Sequence, residues 1–99
     1  MMKLTIMLGL AAGAVWAQDG KDIFLDKCAV CHGQDGAGKT IKGKKLNVKD
    51  VRTTAAKESA ADMVKIVHDG KGTNMDGFAK DLSNEKIDAV VAYYRGLAK

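Results

Sequence analysis

Beyond residue 17 this chain has little from which to build an apolar core. Of the 82 residues that follow, 33 are apolar, but ten of these are Ala and two are Cys. The only aromatics in that stretch are Phe24, Phe78, Tyr93 and Tyr94. A domain of this size gains only about 3–5 kcal/mol from its side-chain core and ordinarily needs a staple. The full length of 99 residues bounds the chain to one domain and excludes most multilayer enzyme folds. Something other than side chains is expected to fill the centre.

The first 17 residues have a different composition. They hold 13 apolar residues, one basic residue and no acidic one. Met1-Met2-Lys3 forms a short basic start, Leu4 to Val15 an apolar run, and Val15-Trp16-Ala17 places small residues at −3 and −1. This pattern predicts a secretory signal peptide over residues 1–17, cleaved after Ala17, and a mature domain over residues 18–99. The apolar run is shorter than the ~20 residues a spanning helix needs, and Asp19, Lys21 and Asp22 follow it at once. A stable membrane anchor is therefore not expected, and the periplasm is the expected compartment.

Export normally brings oxidising conditions, under which two Cys would pair. Here they are Cys28 and Cys31, separated by two residues. A bridge closing so small a loop would add little stability, so the pair needs another use.

Three helical segments and no convincing strand are legible. The first spans about Asp19 to Ala29, with Ile23, Phe24, Lys27 and Cys28 at helical spacing and Asp19 and Asp22 near its start. The second spans about Ala56 to Asp69, with Ala60, Met63, Val64 and Val67 on one face and Gly70 as its stop. The third spans Asn84 to Leu97. Ser83 is its expected N-cap, and Leu82 is placed to staple onto Ile87. Between the first two lies Gly33 to Ala55, which has no clean periodicity. Loops of that length in compact domains are usually functional.

Cys28-Ala29-Val30-Cys31-His32 has the C-x-x-C-H spacing of c-type haem attachment. Residues three apart are neighbours on a helical face, so both thiols can reach the two vinyl groups on one porphyrin edge. His32 then falls beneath the iron. Three other uses of the pair stand against this one. A thioredoxin-like redox pair would need a βαβ setting. A zinc site would need a further ligand such as His68 or Asp69. A plain disulfide remains the third. One haem c, covalently bound through two thioethers, is the expected cofactor.

After cleavage the chain retains two thioethers, Met63 and Met75. Met63 lies on the apolar stripe of the second helix, where core packing accounts for it. Met75 sits in a polar, glycine-flanked segment with no helical face to join, which suits a distal iron ligand. His68 is the rival distal ligand, and a surface His near a helix end is its plainer reading.

The chain resembles small, soluble, monohaem bacterial class I c-type cytochromes over essentially all of the mature sequence. The residues that carry the resemblance are Gly20 and Phe24, then Cys28-Ala29-Val30-Cys31-His32-Gly33, then Gly72-Thr73-Asn74-Met75-Asp76-Gly77-Phe78, and finally Leu82-Ser83 through Ala92-Tyr93-Tyr94-Arg95. The resemblance implies an all-α class I cytochrome c fold wrapped around one covalent haem. In it the N- and C-terminal helices cross, with Gly20 and Phe24 against Val90 and Tyr93. It also implies cofactor binding by Cys28, Cys31, His32 and Met75, with His32 and Met75 as the iron ligands. Two departures stand out. Asp76 follows Met75 where the family commonly has Pro. The chain also has no Pro at all to supply the carbonyl that accepts the His Nδ1–H bond in many members. A ligating imidazole nearly always has such a partner, so a backbone carbonyl is still expected beside His32.

Iron held by His and Met has no open position for a substrate, and Met ligation raises its reduction potential. These properties fit a one-electron carrier between redox partners rather than an enzyme. The alternative is a ligand-binding or sensory haem domain with a labile distal Met. A third possibility is a subunit that stays docked to one oxidoreductase. Charge bears on the partners: residues 39–52 carry a net +5, against −2 for residues 18–38 and zero for residues 53–99. Lys39, Lys42, Lys44, Lys45, Lys49 and Arg52 supply that excess. They suit an acidic redox partner, the haem propionates, or simply solvent. Nucleic acid is not an expected partner, and a monomer is the expected state.

Overall fold

The computed structural model describes residues 17–99, so the signal-peptide expectation falls almost wholly outside the described residues. The chain runs as α1 (Ala17–Ile23), a π-helical turn (Phe24–Cys28), α2 (Ala29–His32), α3 (Ile41–Lys45), α4 (Val51–Lys57), α5 (Ala60–Asp69) and α6 (Asn84–Gly96). Among the described residues there is no strand beyond a single bridge between Lys71 and Met75. The all-α expectation holds.

The first helical segment is longer than its periodicity suggested and changes pitch in the middle. The Ala29 amide donates to the Phe24 carbonyl, five residues back, which widens one turn. That extra residue resets the rotational phase between Phe24, which is 1% exposed, and the Cys28–His32 run that follows. Gly33 then ends the helix with φ +82°, and its amide closes on the Ala29 carbonyl at 2.8 Å. A left-handed backbone of this kind favours glycine.

The expected helix over Ala56–Asp69 is two helices. Glu58 is extended, and the Ser59 hydroxyl accepts the Asp62 amide at 3.1 Å, so Ser59 caps a new start. The non-periodic stretch before it is also partly helical. Thr40 caps α3 by accepting the Gly43 amide at 2.8 Å, and Asp50 caps α4 by accepting the Arg52 amide at 2.9 Å. The third helix follows its sequence signals: Ser83 accepts the Lys86 amide at 3.2 Å, and Leu82 and Ile87 are buried in the same cluster.

The core is small. Phe24, Met63, Leu82, Ile87, Val90 and Val91 form its buried cluster, edged by residues that include Cys28, Phe78, Tyr93 and Tyr94. Helices α1 and α6 cross with Gly20 against Ala89 and Tyr93, and the Phe24 and Tyr93 rings lie 5.4 Å apart. The contact is as expected for Phe24 and Tyr93. Gly20 lies against the Ala89 backbone and Tyr93, and Val90 shares the buried cluster with Phe24. Arg95 ties the α4–α5 junction to α6 by donating to the Glu58 carbonyl at 2.7 Å.

Candidate haem site

Cys28, Cys31 and His32 emerge together from the end of the first helical run, all half-buried. Both thiols are free. Burial, with Cys31 beside it, pushes the Cys28 thiol up to about 11. Burial likewise lowers His32 below the ordinary histidine value. A half-buried imidazole kept neutral is the form that binds a metal.

The α3 segment braces this run. The Thr40 hydroxyl donates to the Val30 carbonyl at 2.8 Å, with the Cys31 carbonyl alongside at 3.1 Å. Gly43 packs so tightly onto the Cys31 carbonyl that a side chain there would overlap it. Neither residue was singled out from the sequence. The signal available was a Thr ahead of a short run, which is weak without knowing what it faces.

His32 also meets aromatic rings. Tyr94 stands edge to face with it at 5.1 Å between centroids and 68° between planes, and Phe24 lies at 6.3 Å. The expected carbonyl beside Nδ1 is not found: this nitrogen is buried and has no hydrogen-bond partner among the described residues. Neighbouring carbonyls are engaged elsewhere. That of His32 accepts the Gly38 amide at 2.7 Å, and that of Ala29 accepts the Gly33 amide at 2.8 Å.

Of the two thioethers, Met63 is 4% exposed in the core, and Arg95 Nη1 donates toward its sulfur at 3.6 Å. Its role is packing, as its helical register implied. Met75 is half-buried, lies outside the core cluster and closes a tight loop. The Lys71 amide donates to the Met75 carbonyl at 2.8 Å, and the Met75 amide returns to the Lys71 carbonyl at 3.3 Å. Asn74 anchors the loop to the Leu46 carbonyl, just after α3, at 3.4 Å. Beyond it the Phe78 and Ala79 amides donate to the Val67 and His68 carbonyls of α5 at 2.8 and 3.2 Å. These bonds supply the stiffness that Pro would give in place of Asp76. Thus α3 packs on the Cys31 segment, and Leu46, which follows it, holds the Met75 loop. His68 is exposed at the end of α5, with Nδ1 2.6 Å from Asp69.

The alternatives to haem lose support. Among the described residues, no β-strand precedes the Cys pair and no group of three His, Cys, Asp or Glu can hold a metal ion. Two free thiols one helical turn apart, with a half-buried imidazole next in sequence, fit a covalently held haem: the thiols to form thioethers, the imidazole to bind iron. The thin side-chain core fits it too, because a large apolar ring supplies what ten alanines cannot. No helix of the described residues is long and apolar enough to cross a membrane.

Comparison with known proteins agrees with this chemistry. The family model described as cytochrome c oxidase, cbb3-type, subunit III matches residues 16–93. The solved structure of the KustC0563 c-type cytochrome is similar, with 30% identity and a TM-score of 0.76 over 82% of this chain and 99% of that one. The chain therefore belongs to the cbb3-type subunit III family of c-type cytochromes, has the small class I cytochrome c fold and carries covalently bound haem c, the cofactor of haem-based electron transfer.

Proposed function

We propose that this protein is an exported, periplasmic, monohaem electron carrier whose low-spin iron is held by His32 and Met75. The observation that carries this reading is the division of labour between the two methionines. Met63 is occupied in the core beside Arg95, whereas Met75 is held in a braced loop with no packing role there. When bound, the haem supplies one-electron chemistry at potentials that Met ligation raises. Cys28 and Cys31 would hold it through thioethers, and His32 and Met75 would supply its two iron ligands.

The same residues argue against catalysis, because ligands present in both oxidation states leave no site for a substrate. Carbon monoxide tests this directly. A ferrous protein that leaves the gas unbound at neutral pH supports the carrier, and ready formation of a carbonyl adduct supports the sensory alternative.

The partners are redox proteins with acidic docking surfaces. Lys39, Lys42, Lys44, Lys45 and Lys49 are exposed and form no ion pair among the described residues, whereas Arg52 is paired with Asp50 at 2.7 Å. Unpaired like charges raise encounter rates with an opposite surface. The family description names an oxidase subunit, which favours an oxidoreductase as one of those partners, whether visited or permanently docked.

A further inference from the structure

Among the described residues, the ring of His32 is held without a hydrogen bond. Ligating imidazoles normally donate their second N–H to a carboxylate, carbonyl or water, and that bond fixes the ring plane. Here Nδ1 is buried and unpartnered among the described residues. What the ring has instead is a pair of aromatic neighbours from the two crossing helical segments. Tyr94 of α6 meets it edge to face at 5.1 Å, and Phe24 lies tilted at 6.3 Å.

Tyr94 is itself held by the core. Its ring stacks on Phe24 at 5.9 Å and 30°, and Phe24 is 1% exposed at the centre of the core. A phenol ring stacked on a fully buried neighbour at the edge of the core is held against sliding. The imidazole packed against its edge therefore has one preferred rotation about its Cβ–Cγ bond.

We propose that Tyr94 is the positioning residue of His32, its ring setting the imidazole plane in place of a hydrogen bond to Nδ1. The proposal rests on His32 being an axial ligand. Because edge-to-face aromatic contacts are directional, another apolar side chain of similar volume would fill the space without fixing the plane. The ring, and not the hydroxyl, is what matters.

The order and spread of the haem methyl resonances in the proton NMR spectrum of the ferric holoprotein report the orientation of the axial imidazole. Tyr94→Phe keeps the ring and retains the wild-type order of methyl resonances. Tyr94→Leu and Tyr94→Met remove the planar edge and change that order, while the iron stays low-spin. A purely structural Tyr94 would lower the melting temperature of these variants and leave the methyl order intact. If Tyr94→Leu does not take up haem, Tyr94→Met and Tyr94→Phe decide the matter. Wild-type order in the Met variant, or a change in the Phe variant as large as in the Met variant, overturns the proposal. A wild-type protein without imidazole-ligated low-spin iron overturns the ligation itself, a failure distinct from that of Tyr94.

Discussion

Gly20 of α1 lies against the backbone of Ala89 in α6, where an added Cβ would come within 2.8 Å of the Ala89 carbonyl carbon. The obstacle is main chain, which cannot rotate away, and Tyr93 Cβ stands 3.3 Å off on the same side. Two helices that approach this closely bring Phe24 and Tyr94 within stacking distance, and both rings border His32. The helix crossing and the surroundings of His32 are one construction.

Two effects of Gly20→Ala oppose each other. Alanine favours a helix over glycine by about 1 kcal/mol, whereas overpacking of a tight contact costs about 1–3 kcal/mol. Because the colliding atoms are backbone, the clash wins. Denaturant unfolding of the holoprotein will show a net loss of stability, and a gain would mean that the helices do not cross here.

Thr40→Val keeps the shape of the side chain but removes both the cap of α3 and the hydroxyl that faces the Val30 and Cys31 carbonyls. The expected loss is about 1–2 kcal/mol, concentrated in α3. Amide hydrogen exchange at Gly43 will accelerate more than exchange at Ile87 in α6. Equal acceleration at both would deny a local bracing role.

Asp50 caps α4, and its double hydrogen bond with the Arg52 guanidinium holds its carboxyl down to about 2, against an ordinary 3.8. A lowered folded-state value means that this contribution is complete above the ordinary value and disappears as pH falls toward about 2. Asp50→Asn is therefore less stable than wild type at pH 6, and the difference narrows below about pH 4 and is lost as pH falls through about 2. A difference independent of pH would show that the carboxylate charge is irrelevant.

Much of this was legible in the sequence because local signals and tertiary structure agree. Ser83, Leu82 and Ile87 specify the start of α6 within a few residues, and the spacing of Cys28, Cys31 and His32 carries its chemistry by itself. Met75 stood out because a polar loop gives a thioether no packing reason. Other features depend on partners distant in sequence. Ser59 opens a new helix in what looks like one continuous run, because alanines on both sides carry equal helical preference, and the turn is held in place by the distant Arg95 contact to the Glu58 carbonyl. The π-turn at Phe24–Cys28 has no local signature, since it reconciles a core residue with a site residue on one helix. Nor does the sequence show that Tyr94, rather than a carbonyl, borders His32.

Removing the cofactor tests the thin core. With eight buried apolar residues among those described, the chain lacks enough buried surface to fold tightly alone. A Cys28→Ala, Cys31→Ala protein expressed without haem will show broad, weakly cooperative thermal unfolding by far-ultraviolet circular dichroism. A sharp cooperative melt would show that haem is not needed to complete the core.

The most direct measurement for the account as a whole is the sulfur-to-iron charge-transfer absorption of the ferric protein. It should be present in wild type, survive in Met63→Leu and disappear in Met75→Leu, with haem still attached through Cys28 and Cys31. If Met75→Leu keeps the band, or Met63→Leu loses it, Met75 is not the distal ligand and the carrier described here is wrongly built.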